Sequence, residues 1–134
     1  MQKGVIMVKK QILIVDDDAE LCEELGEILK GEGFAVETVL DGTVGQEKIA
    51  SYDYDLLILD VKMPGINGIQ ILNNVKNKKP GCKFCMISGK PNMEKSLRDG
   101  GVHHLVDCVI PKPFKVEELL RKINACLFPD AAGR

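Results

Sequence analysis

Two short segments of this chain are apolar at every position and each runs directly into aspartate: Ile12–Val15 before Asp16, and Leu56–Leu59 before Asp60. A strand with one wet face alternates apolar and polar residues. A strand apolar on both faces has to be covered on both, which a parallel sheet between two layers of helices achieves. The rest of the chain supplies those layers. Ala19–Lys30 carries Leu21, Cys22, Leu25, Ile28 and Leu29 as one helical stripe, and Gly31 and Gly33 stop it. Phe34–Val39 alternates as a second strand, Asp41-Gly42 turns the chain, and Thr43–Ser51 reads as a helix. A third helix is expected over Gly68–Asn77, a strand over Cys82–Ile87, a short helix over Asn92–Arg98 capped by Asn92, and a strand over Leu105–Ile110. The final helix, Val116–Leu127, has the stripe Val116, Leu119, Leu120, Ile123 and Leu127. Strict alternation of five strands and five helices predicts one α/β domain with a parallel sheet and helices on both faces. The chain is short enough for a single core.

In such sheets ligands gather at the carboxyl ends of the strands. Those ends carry Asp16, Asp17 and Asp18 after the first strand, Asp60 after the third, Ser88 after the fourth, and Lys112 after the fifth. The fold would gather them in one crevice. Crowded carboxylates repel, and one would hold its proton unless a cation intervened. Mg²⁺ suits such a set, because it takes oxygen ligands and binds a few carboxylates together with phosphate oxygens. Lys112 adds a mobile positive charge and Ser88 a hydroxyl donor. The set describes a site for a transferring phosphoryl group, with one carboxylate as nucleophile. Asp60 is the choice for that role, since it follows the most apolar strand and has the Met63-Pro64-Gly65 loop beside it. Asp18 reads as the cap of the first helix.

LLILDVKMPGINGIQIL around Asp60 resembles the phosphoacceptor segment of response-regulator receiver domains. ILIVDDDAEL resembles their opening strand with its acidic pair, MISG their hydroxyl-bearing fourth strand, and IPKPF their lysine–proline loop. The resemblance covers 9–128, leaving 1–8 as an N-terminal extension and 129–134 as a tail or the start of a linker. It implies a flavodoxin-like (βα)5 sheet in strand order 2-1-3-4-5. It implies that Asp60 takes a phosphoryl group from a sensor histidine kinase or phosphotransfer protein, with Ser88 and Lys112 contacting that group. Mg²⁺ would be held by Asp16, Asp17, Asp60 and the backbone carbonyl of Lys62. The Lys112–Pro113 bond is expected to be cis, aiming the lysine inward. The face of the fourth helix, fifth strand and fifth helix would change on phosphorylation and pass the signal to an effector or a fused output domain, as a monomer or a phosphorylation-linked dimer.

Some residues depart from the family pattern. Val109 stands where receivers often carry Tyr or Phe, so signalling is expected to lean on Ser88 and the Gly89–Met93 loop. Lys62 and Lys90, each two residues beyond a motif residue, are expected to alter the aspartyl-phosphate lifetime. Gly100–Cys108 is expected to be irregular.

Other functions fit less well. An aspartate-nucleophile phosphatase wants an acid two residues after its nucleophile, where Lys62 stands. A flavin-binding module wants a Ser-, Thr- or Gly-rich loop after the first strand, where three aspartates stand. A degenerate receiver used only for docking would not need the full set of acids, hydroxyl and lysine. A net charge of −2 offers no basic field for nucleic acid. Met1–Lys10 contains no long apolar run, so neither a signal peptide nor a membrane span is read there, and a cytoplasmic protein is expected. Five cysteines, an odd number, argue against a disulfide framework, and the expectation is buried thiols.

Overall fold

A computed structural model describes residues 8–130. The expected extension and tail therefore lie almost wholly outside the described residues. The strands are β1 (Gln11–Val15), β2 (Ala35–Val39), β3 (Leu56–Asp60), β4 (Lys83–Ser88) and β5 (Cys108–Pro111). The helices are α1 (Ala19–Gly31), α2 (Gly42–Ser51), α3 (Gly68–Val75), α4 (Met93–Asp99) and α5 (Val116–Leu127). All strand pairs are parallel and the order is β2-β1-β3-β4-β5. This is the doubly wound sheet expected from the alternation.

Side-chain alternation along the strands divides the interior into two cores. Leu13, Val15, Leu57, Leu59, Phe84 and Met86 face α2, α3 and α4, where Ile49, Ile71, Leu72, Met93 and Leu97 meet them. Ile12, Ile14, Leu56, Ile58, Cys85 and Ile87 face α1 and α5, packing on Leu25, Leu29, Leu119, Ile123 and Leu127. Every residue of β3 is buried. That explains its unbroken apolar run, since each such side chain stabilises the fold by about 1.5–3 kcal/mol on leaving water.

Local signals set several element ends. Asp18 caps α1 by accepting the Leu21 N–H at 3.1 Å, as its position suggested. Gly33, at φ 99°, lets the chain leave α1 and enter β2. Asn67 and Gln70 form a reciprocal capping box at the start of α3.

Four expectations need correction. Asn92 precedes α4 but its side chain makes no capping hydrogen bond. The strand read over Leu105–Ile110 begins only at Cys108, because His103–Leu105 form a 3₁₀ turn. Leu105 and Val106 are apolar because they pack sideways on the α2–α3–α4 core, not because they pair in the sheet. Helix α3 ends at Val75, two residues early, where the Lys78 N–H turns back to the Val75 carbonyl. The expectation of free thiols fails at Cys85 and Cys108, which form a disulfide between β4 and β5. The two residues are direct neighbours in the parallel register, a proximity that no local pattern reveals.

Candidate functional site

The parallel register brings the acids together. Val15 pairs with Leu59, so Asp16, the next residue after β1, comes out beside Asp60 at the end of β3. Asp60 pairs with Ile87 and Ser88 with Pro111, which puts Ser88 and Lys112 on the same edge of the sheet. Asp16, Asp60 and Ser88 are buried, whereas Asp17 is exposed. One carboxylate oxygen from each of Asp16, Asp17 and Asp60 lies within 4.8 Å of the others.

Polar contacts hold this cluster. Asp16 Oδ1 accepts the Asp18 N–H at 3.0 Å, and its carbonyl accepts the Cys22 thiol at 3.3 Å. Asp60 Oδ1 accepts the Lys62 N–H at 3.2 Å. Lys112 Nζ lies 2.9 Å from Asp16 Oδ2 and 3.7 Å from Asp60 Oδ2. Asp16 Oδ2 is fully buried and has no aligned hydrogen bond, so the ammonium meets it as an ion pair. Ser88 Oγ accepts the Lys90 N–H at 2.9 Å, which fixes the turn after β4. The Lys112–Pro113 peptide is cis.

The electrostatics follow from this crowding. Burial pushes the Asp60 carboxyl up to about 6 and the charge of Asp16 adds to the push, while the Lys62 amide and the Lys112 ammonium oppose it. Burial pulls Lys112 down, yet its contacts with Asp16 and Asp60 outweigh that and its pKa rises. The Cys22 thiol beneath the acids is pushed up to about 11 by burial and then by Asp16 and Asp18.

A hard divalent cation fits these residues. They offer three convergent carboxylates, one of them with a fully buried oxygen that meets the Lys112 ammonium as an ion pair and accepts no aligned hydrogen bond among the described residues. Of the Lys62 backbone, only the N–H has a described contact here, to Asp60.

All six residues singled out from the sequence lie at this one end of the sheet. Two contributors were missed. Lys62 was expected to act through its carbonyl, and what was not foreseen is the contact of its amide N–H with Asp60. Gly68 opens α3 directly against the site: a Cβ there would lie 2.4 Å from the Asp60 carbonyl oxygen and 3.0 Å from Leu59 Cβ. The glycine following Asn67 was readable as a helix start, but its tertiary contact was not.

A doubly wound sheet with an acid cluster and a lysine at its carboxyl edge suits phosphoryl chemistry in signalling domains and enzymes alike, and similarity to known proteins separates the two. The response regulator receiver domain family matches residues 12–124, and the chain belongs to that family. The response regulator ArlR of Staphylococcus aureus is 37% identical over 117 residues, covering 87% of this chain and 52% of ArlR. The chain thus spans about half the length of the curated relatives it matches. Among solved structures, a CheY-like receiver domain protein from Methanospirillum hungatei superimposes with a TM-score of 0.83 at 31% identity, covering 94% of this chain and all of that one. TrrA of Thermotoga maritima, in complex with Mg²⁺-BeF, gives 0.78 at 32% identity, covering 88% and 99%. The protein is a receiver domain of two-component signalling.

Proposed function

We infer that Asp60 is the phosphoacceptor and that the donor is the phosphohistidine of a sensor histidine kinase or phosphotransfer protein. A carboxylate oxygen of Asp60 forms the new P–O bond, the P–N bond breaks, and its electron pair leaves with the imidazole. The observation that carries this reading is the position of Asp60: a buried carboxylate beside a second buried acid, with one ammonium within 4 Å of both. Asp16, Asp17, Asp60 and the Lys62 carbonyl are the proposed holders of Mg²⁺, which supplies charge neutralisation for the phosphoryl oxygens when bound. Lys112 pairs with one phosphoryl oxygen, moving from Asp16, and the Ser88 hydroxyl donates to another. TrrA, a relative with this fold, was crystallised with Mg²⁺-BeF, which supports the cation assignment.

The signal leaves by the face of α4, β5 and α5, toward an effector or a fused output domain. Val109 at the usual aromatic position is half-buried against the core, and its carbonyl accepts the Lys122 ammonium at 2.6 Å. A side chain so placed has no ring to swing, so the Gly89–Met93 loop after Ser88 is the proposed moving part. The phosphatase alternative is disfavoured because the exposed Lys62 stands where its second acid would be.

The test is incubation of the full chain with acetyl phosphate and Mg²⁺, followed by intact mass. One added phosphoryl group in the wild type and none in Asp60→Asn is expected. Equal labelling of the two would exclude Asp60.

A further inference from the structure

A third sulfur lies against the β4–β5 disulfide. Cys126, on α5, faces the same core as Cys85 and Cys108, and the sulfur atoms of all three lie within 4.8 Å of one another. Cys85 is fully buried, while Cys108 and Cys126 are half-buried. Those two open onto a cavity of about 390 Å³, also lined by Lys83, Asp107, Arg121 and Lys122. Ser88 ends β4 three residues beyond Cys85, and Lys112 follows directly after β5.

We propose that Cys85, Cys108 and Cys126 form a thiol–disulfide exchange site that moves a crosslink between the sheet and α5. The Cys126 thiolate attacks Cys108 Sγ. The Cys85–Cys108 bond breaks, its electron pair passes to Cys85, and Cys85 takes up the proton that Cys126 gave. No oxidant is consumed in this step. The first disulfide forms from two thiols with a two-electron thiol oxidant, which accepts two electrons and two protons.

The two crosslinks tie different elements. Cys85–Cys108 joins neighbouring strands and leaves α5 without a covalent link to the sheet. Cys108–Cys126 staples α5 to β5, two of the three elements of the proposed signalling face, so the exchange sets how freely that face moves. Burial, followed by the charge of Asp107, raises the Cys126 pKa against the opposing pull of Lys83. Cys85–Cys108 is the pair bonded in the structure, and the raised pKa slows attack by Cys126 without forbidding it. The consequence for signalling rests on the assignment of the output face; the exchange chemistry does not.

Trypsin leaves each of the five cysteines on its own peptide, with Cys85 in 84–95, Cys108 in 99–115 and Cys126 in 123–134. The native full chain is oxidised with limiting diamide, its remaining thiols are trapped with N-ethylmaleimide in acid, and the crosslinked peptides are identified by mass spectrometry. Both the 84–95/99–115 and the 99–115/123–134 links are expected in the wild type, with Cys22 and Cys82 alkylated. Cys85→Ser should carry the second link alone, and Cys126→Ser the first alone. A wild-type map without the 99–115/123–134 link overturns the proposal, and that reading stands even if a variant fails to fold. Asp60→Asn should give the wild-type map, so a failure of Asp60 to accept phosphate leaves this result untouched.

Discussion

Lys112 Nζ lies 2.9 Å from Asp16 and 3.7 Å from Asp60, so this ammonium leans toward the acid that is not the proposed phosphoacceptor. Asp16 is the more deeply buried of the two, and its Oδ2 accepts no aligned hydrogen bond among the described residues. The lysine therefore stabilises the fold as well as serving the site. Removing one member of a buried ion pair leaves the other charge uncompensated.

Lys112→Ala should accordingly destabilise the metal-free domain at pH 7. Fully buried pairs lose about 3–5 kcal/mol when broken, and the partial exposure of Lys112 lowers the expected loss to about 1–3 kcal/mol. Lowering the pH to 5 should shrink the difference, because Asp60, pushed up to about 6, then takes a proton and relieves the repulsion. Urea denaturation of both proteins at the two pH values measures this. An equal loss at pH 5 and pH 7 would mean that Asp60 takes no part and that the lysine acts through Asp16 or packing.

The raised Asp60 pKa gives a second expectation with a definite sign. The folded state binds this proton more tightly than the unfolded chain, whose carboxyl keeps the ordinary value of 3.8. Below about 3.8 both states are protonated and Asp60 adds no pH dependence. Between 3.8 and about 6 the folded state loses stability as pH rises, and above 6 the full cost of a charged carboxylate remains. A shift of this size corresponds to about 3 kcal/mol, and the open rim of the crevice brings the expected cost to about 1–2 kcal/mol. Asp60→Asn should thus melt higher than the wild type at pH 7.5 without metal and match it at pH 4. A lower melting point at pH 7.5 would show that the carboxylate is well solvated or paired.

Mg²⁺ should stabilise the wild type by mass action, about 1.4 kcal/mol at ten times its dissociation constant. Asp17 is exposed, so Asp17→Asn changes no core packing and should abolish most of that gain while leaving the metal-free melting temperature close to wild type. Differential scanning calorimetry with and without the cation tests this. An undiminished gain in the variant would remove Asp17 from the set of ligands.

Much of the architecture was legible because the constraints are local or periodic. The unbroken apolar runs of β1 and β3, the stripe of α5 and the Asp18 cap each state their structure within a few residues. The site was legible for a different reason: once parallel order is granted, acids at the ends of the first and third strands must converge. What escaped depends on register and tertiary contact. Cys85 faces Cys108 only because β4 and β5 pair with one particular offset, and counting cysteines cannot supply that offset. Leu105 and Val106 look like strand residues, yet the 3₁₀ turn at His103–Leu105 sends them sideways into the core. Asn92 has the composition of a cap without its hydrogen bond.

Gly68 is the clearest case of a residue whose importance lies in a contact the sequence does not reveal. The start of α3 passes so close to the end of β3 that a methyl group would meet the Asp60 carbonyl oxygen at 2.4 Å. That oxygen belongs to the backbone and cannot move without shifting the proposed phosphoacceptor. Gly68→Ala should therefore cost about 2–3 kcal/mol through overpacking, although alanine is the better helix former. Gly31, the last residue of α1, is the matched control, because a Cβ there would have nothing within 4 Å. Gly31→Ala should leave stability unchanged or raise it by up to about 1 kcal/mol. Urea denaturation of both variants decides the matter: similar small effects would mean that the junction of β3 and α3 yields readily. A large loss at Gly68 alone would show that close approach of the two backbones fixes the position of Asp60.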